Sequence, residues 1–367
     1  MPTKVTVRSG LVAALLLAGP VHALQTRPQT PQPPFPYDVR EIEVAAGAQL
    51  SCTLTTPREG SGWPGVVLQT VAGANDRDQS HSGHRPFFVL ADHLTRAGVA
   101  VLRCDDRGVG GSEGDVTTTP IDDLAADARA LLSYLAALPR VGAVGVIGNS
   151  EGSVTGAIAA SEGGNAEFLI MLGGVGVRGA DVIRYRQEAM GRANGLDSAT
   201  IARALEPFDQ IVEWVEEVGG AGLEQARETH PDLVRDALDL LASGRVPRDP
   251  MLPQDPEAQL ALFLGPWYHA QVTLDAHSIL RTVRVPTLAL TGSLDTINYP
   301  EQNLPAIREA LESAGNPDVT TMVVPDLNHV FQTARTGSMM EYGMLEESFS
   351  VEALELITDW IIERFGS

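Results

Sequence analysis

The pentapeptide Gly148-Asn149-Ser150-Glu151-Gly152 constrains this chain more than any other segment. It follows the apolar run of residues 141–147 and precedes the small-residue stretch 153–160, so it reads as a buried strand breaking sharply into a helix with a serine at the turn. A turn tight enough to present the Ser150 hydroxyl leaves no room for a Cβ at 148 or 152, and glycine stands at both. The new helix then lies with its positive end beneath the serine, where it favours developing negative charge.

A serine hydroxyl is a poor nucleophile at neutral pH and needs a histidine base oriented by a carboxylate. Both follow downstream. Residues 285–292 read as a strand ending in a glycine turn, with Asp295 three residues beyond it. Residues 319–325 read as a second strand running into Asp326-Leu327-Asn328-His329. Ser150, Asp295 and His329 are the expected catalytic residues, in the order nucleophile, acid, base, each placed behind a predicted strand. Asp326 is a reserve acid, too near His329 in sequence to be favoured.

Residues 83–94, the segment Arg103-Cys104-Asp105-Asp106-Arg107-Gly108-Val109-Gly110-Gly111-Ser112, the run Asn328-His329-Val330-Phe331-Gln332 and the tail Glu341-Tyr342-Gly343 resemble the bacterial α/β-hydrolases grouped with serine aminopeptidase-like and acyl esterase-like enzymes. The resemblance covers the chain from about residue 40 to its end. It implies an α/β fold with a mostly parallel eight-stranded sheet, helices on both faces and a helical cap insertion. Two departures stand out: Asn149 where relatives usually carry His, and Val71-Ala72-Gly73-Ala74 where they carry a G-S-G-P-type loop. The expected oxyanion donors are the backbone N–H of Glu151 and that of Ala72, with Gly73 as the alternative.

The same resemblance makes the strands holding Cys52 and Cys104 antiparallel neighbours. Two buried free thiols are the favoured reading, with a disulfide open beside it.

Composition limits the partners. With 47 acidic and 26 basic residues the net charge is −21, which argues against nucleic acid and anionic membranes. Lys4 is the only lysine, so Schiff-base, Ser-Lys and P-loop chemistry are excluded from the mature chain. Neither a metal nor an organic cofactor is required. The expected substrate is a small ester or short peptide, and oligomeric state is left open.

Residues 1–23 read as a signal peptide: Lys4 and Arg8, an apolar run over 11–18, and Val21-His22-Ala23 as cleavage site. The chain is therefore expected in the periplasm or secreted, starting near Leu24 and without a membrane span. Residues 24–38 read as a Pro-rich exposed linker, 39–177 and 281–367 as the catalytic domain, and 178–280 as the cap.

Within the cap, residues 180–193, 198–218, 222–243 and 256–263 show helical periodicity. Trp267 and Tyr268, with His269, either line the substrate pocket or pack cap against core, and His230 and His277 are read as structural. Asn75-Asp76-Arg77-Asp78 reads as a turn pinned by its own side chains, not a metal site. Arg107 is expected to pin its loop with Asp105 and Asp106. Two histidines flanking a glycine, His81 and His84, complete no metal site. Hydrolysis of carboxylic esters through a Ser150 acyl-enzyme is the leading expectation. An aminopeptidase, with Glu213, Glu216 or Glu217 as candidate acids for a free N-terminus, comes second. A non-catalytic binding protein or an acyltransferase on the same fold completes the alternatives.

Overall fold

The computed structural model of the chain describes residues 27–161, 165–246 and 252–366. The signal-peptide reading falls on residues outside these. Strands β1 (Asp38–Ala45), β2 (Gln49–Thr56), β3 (Trp63–Gln69), β4 (Ala100–Cys104), β5 (Val141–Asn149), β6 (Phe168–Leu172), β7 (Thr287–Gly292) and β8 (Val319–Val324) form one sheet in the order β1-β2-β4-β3-β5-β6-β7-β8. The β1/β2 and β2/β4 pairs are antiparallel and all others parallel. Central strands such as Phe-Leu-Ile-Met-Leu in β6 are buried along their whole length, because helices cover both faces of a parallel sheet.

Side chains alternate between the two faces, and each face has its own core. Val67, Val146, Leu169 and Ala289 pack against α2 (Ile121–Ala136), α3 (Glu151–Ala160) and α11 (Pro300–Ser313). Val66, Leu68, Ile147, Phe168 and Ile170 pack against α1 (Pro86–Arg96) and α12 (Val351–Phe365). Between β6 and β7 lie α4 (Gly179–Ala193), α5 (Ser198–Val218), α6 (Leu223–Thr229), α7 (Pro231–Ala242), α8 (Pro256–Phe263), α9 (Pro266–Thr273) and α10 (Ala276–Leu280). Most of these helices share a third core around Ile211, Val215, Leu240, Leu260 and Phe263.

Several expectations are corrected. The helix expected over 222–243 is two helices, broken at His230-Pro231. Proline disfavours helical backbone in the residue before it, and His230 sits at φ −134°. Cys52 and Cys104 stand directly opposite in the β2/β4 register and are disulfide-bonded, against the favoured reading of free thiols. The stretch read as an exposed linker keeps Gln32, Pro33, Pro34 and Pro36 exposed, while two side chains near its start bond to loops of the fold. The Arg27 guanidinium donates to the carbonyls of Ser82, Gly343 and Leu345, and the Gln29 amide exchanges hydrogen bonds with Ser348 and Phe349 backbone. No described helix is long and apolar enough to cross a membrane.

Candidate active site

Strand β5 ends at Asn149, α3 begins at Glu151, and Ser150 between them has φ 54° and ψ −115°. A non-glycine residue is rarely found at positive φ and persists there only where its surroundings enforce it. They do so here. Ser150 N–H donates to Leu172 O at 2.9 Å, and a Cβ at Gly148 would run into the Gly152 carbonyl, while one at Gly152 would run into the Gln69 and Thr70 carbonyls. The elbow is thus wedged between β3 and β6. Behind it, the buried Asn149 side chain accepts from Gln79 Nε2 at 2.9 Å and donates to Leu172 O at 2.9 Å, and it does not line the cavity.

The loops after β7 and β8 bring Asp295 and His329 together. His329 Nδ1 lies 2.8 Å from Asp295 Oδ2, and both residues are buried. Asp295 Oδ1 accepts from the backbone N–H of Ile297 at 2.9 Å and of Asn298 at 2.8 Å, so both carboxylate oxygens are held. Asp326 is exposed, and its N–H donates to Ser293 Oγ, which leaves the reserve acid without a role here.

Ser150 and His329 line the same cavity, but the hydrogen bond recorded for Ser150 Oγ comes from Asn298 Nδ2 at 3.3 Å. Asn298 Nδ2 also donates to Gly173 O at 2.7 Å. Sequence reading missed Asn298. Its position three residues after Asp295, in the turn whose N–H groups grip that carboxylate, is the signal that could have found it.

That cavity has a volume of about 630 Å³. Glu151 and Ala72 line it together with Ser150, whereas Gly73 lines neighbouring depressions instead. The elbow side is polar. Gln271 Nε2 on α9 donates to Glu151 Oε2, and burial pushes the Glu151 carboxyl above its usual range. Beyond it, Asp106 accepts from Thr70 Oγ1 and Asn75 N–H, both at 2.8 Å, and burial pushes its carboxyl up to about 6.

The remaining wall is largely apolar and comes mainly from the segment between β6 and β7, completed by Ile297, Val330 and Met339 from the loops after β7 and β8. Trp267 and Tyr268 both line the cavity, with Tyr268 stacked obliquely on Phe263 at 4.7 Å between centroids. His269 is not among the lining residues. The glutamates considered for a free N-terminus, Glu213, Glu216 and Glu217, are exposed and line no part of it, and Glu216 pairs with Arg178.

Other expectations resolve elsewhere. Arg107 does not pair with Asp105 or Asp106: its guanidinium reaches Asp127 on α2 at 2.6 and 2.9 Å, while Asp105 takes Arg77. Long arginine side chains reach carboxylates across the fold as readily as within a turn. Asp76 Oδ1 accepts from the N–H of Asp78 and Ser80, a self-pinned turn as read. His84 is fully buried, with one ring nitrogen 2.9 Å from Ser348 Oγ and the other 3.0 Å from Tyr342 O. His230 and His277 sit beside Glu217 and Glu309 on the outside.

A family model described as X-Pro dipeptidyl-peptidase (S15 family) matches residues 46–329, a span that includes Ser150, Asp295 and His329. A search of curated proteins finds no match. Among solved structures the chain is similar to an esterase of Pyrococcus furiosus, at 16% identity over 90% of this chain and 92% of that one, with a TM-score of 0.53. It is likewise similar to ferulic-acid-bound Est1E from Butyrivibrio proteoclasticus, at 15% identity over 89% and 100% of the two chains, with a TM-score of 0.51. Both likenesses speak for the α/β-hydrolase fold.

Proposed function

The chain belongs to the X-Pro dipeptidyl-peptidase (S15) family and is a serine hydrolase, and we propose that it cleaves carboxylic esters through an acyl-enzyme on Ser150. The observation that carries this reading is a shared cavity: Ser150 on its strained turn and His329, anchored through Nδ1 to a buried Asp295, open into the same space. Ser150 Oγ attacks the acyl carbonyl and His329 Nε2 takes its proton. Asp295 fixes the imidazole with Nδ1–H toward the carboxylate and steadies the imidazolium. The backbone N–H groups of Glu151, unused at the first turn of α3, and of Ala72 receive the oxyanion. His329 then protonates the leaving alcohol, and water, activated by the same imidazole, releases the acyl group.

Residues 39–177 and 281–367 form the catalytic domain in this reading and 178–280 its cap, whose Trp267 and Tyr268 shape the acyl pocket. Residues 1–23 are proposed as an export signal, which agrees with a disulfide in the mature chain.

The family description supports a second reading, peptide hydrolysis. Among the described residues the acidic side chain lining the cavity is Glu151, so a substrate ammonium group would meet its carboxyl.

The test is intact-mass analysis after fluorophosphonate treatment, with hydrolysis of 4-nitrophenyl esters and of X-Pro amides measured alongside. A single adduct absent from Ser150→Ala, and ester turnover far above amide turnover, is expected. An adduct elsewhere sinks the Ser150 assignment, and faster X-Pro amide cleavage replaces the esterase with the peptidase.

A further inference from the structure

Among the described residues a few buried side-chain N and O atoms lack any hydrogen-bond partner, and His81 Nε2, Arg186 Nε and Tyr342 OH among them belong to side chains that line the cavity holding Ser150. Native interiors rarely leave such atoms unpaired, because each costs its full desolvation. Arg186 is the most telling of the three. It lies on α4, whose Gly179, Val182, Ile183, Arg186 and Gln187 turn one helical face to the cavity.

The other arginines in and beside this helix are neutralised. Arg184 pairs with Glu188 and Asp209, Arg192 pairs with Glu188, and Arg178, at the start of the helix, pairs with Glu216. Arg186 makes no ion pair among the described residues, although the chain carries 47 acidic side chains. The acid that shares its cavity, Glu151, is engaged by Gln271. A guanidinium stays charged at every accessible pH, and its planar fork matches a carboxylate. A permanent cation left bare in a largely apolar wall has its counter-charge still to come.

We propose that Arg186 is a specificity-determining residue that binds a free carboxylate on the substrate, so that the preferred substrates are esters carrying a carboxylate away from the scissile bond. This rests on the Ser150 ester-hydrolase reading and adds the substrate class. The carboxylate could belong to the acyl part or to the leaving group, and the guanidinium would recognise either.

Two matched pairs separate these sources. The acyl arm compares the mono-4-nitrophenyl ester of glutaric acid with 4-nitrophenyl pentanoate, and the leaving-group arm compares 4-carboxyphenyl pentanoate with phenyl pentanoate. In the wild type the carboxylated member is favoured on one arm. In Arg186→Gln the ratio of kcat/KM for that arm, carboxylated over neutral, falls by roughly 10- to 100-fold, mostly through KM, and Arg186→Lys restores part of it. An unchanged ratio on both arms overturns the proposal.

Calorimetric titration of glutarate and of 4-hydroxybenzoate into the Ser150→Ala protein, with and without Arg186→Gln, reads binding without turnover. Loss of the bound anion in the double variant supports the proposal, and equal binding refutes it. Ester turnover that survives Ser150→Ala removes the nucleophile reading while leaving this binding result intact.

Discussion

The two walls of the cavity are built on different terms. On the sheet side Ser150, Asp295 and His329 stand on short loops at strand ends within a hydrogen-bond net: Asp295 makes three hydrogen bonds, and Asn298 bridges Ser150 Oγ to Gly173 O. On the helical side the wall is mostly apolar and leaves Arg186 Nε without a partner. The sheet wall sits on loops whose backbone is held against the close-packed core of the sheet, so displacing its groups would disturb that core. The helical wall rests on a core of its own around Val215 and Phe263 and can vary its cavity-facing side chains without disturbing the elbow. In the proposed reading, reaction chemistry belongs to the first wall and selection to the second.

The sharpest way to break that division is Asp295→Asn, which keeps the shape and removes the charge that orients His329. Ester kcat is expected to drop by roughly three to four orders of magnitude with an unchanged KM. A loss of less than tenfold would mean that the sheet wall does not carry the chemistry.

The disulfide comes next. It closes a loop of 52 residues between β2 and β4, and chain entropy alone assigns that closure about 4 kcal/mol. Thiol titration of the unfolded, unreduced protein should find no reactive thiol, and Cys52→Ala/Cys104→Ala should lower the unfolding free energy by up to that amount. Two titratable thiols would restore the reading of free cysteines.

Asp106 offers a smaller effect with a defined pH window. Burial raises its folded pKa from 3.8 to about 6, so the folded state holds the proton more tightly than the unfolded chain does. The resulting stabilisation is present below about pH 4 and is lost as pH rises to about 6. Asp106→Asn mimics the protonated form. Urea denaturation at pH 8 should show it more stable than the wild type by as much as about 3 kcal/mol, with little difference at pH 4. Equal stabilities at pH 8 would show that Thr70 and Asn75 fully compensate the buried charge.

The smallest effect falls on the helical wall. Trp267 is 37% exposed, and Trp267→Ala should raise ester KM about three- to tenfold while kcat stays within about twofold. A large fall in kcat instead would mean that the helices act on the chemistry as well.

Legibility followed sequence distance. The elbow could be read from five consecutive residues because its glycines answer a local steric demand, and the Asp295–His329 pair because each residue follows a short β-branched or apolar run within a few residues. Helices α4, α5 and α8 were legible from their period, whereas the break at Pro231 was passed over although proline announces it. Arg107 was assigned to its sequence neighbours and instead found Asp127, 20 residues away. Arg186 and the bonding of Cys52 to Cys104 had no local signature, and Asn298 had only its place in the turn three residues after Asp295.

By itself, then, the sequence determined the strands that flank the site, the elbow and the chain order of Ser150, Asp295 and His329, because these depend on turn sterics and strand periodicity that act over a few residues, while the eight-stranded sheet followed from the family resemblance. Only the tertiary structure decided which polar atoms meet: that Asn298 reaches Ser150 Oγ, that the two cysteines face each other in register, and that Arg186 turns inward without an acid. Those outcomes depend on how side chains from distant segments are oriented when helices dock on a sheet, and no local periodicity encodes that orientation.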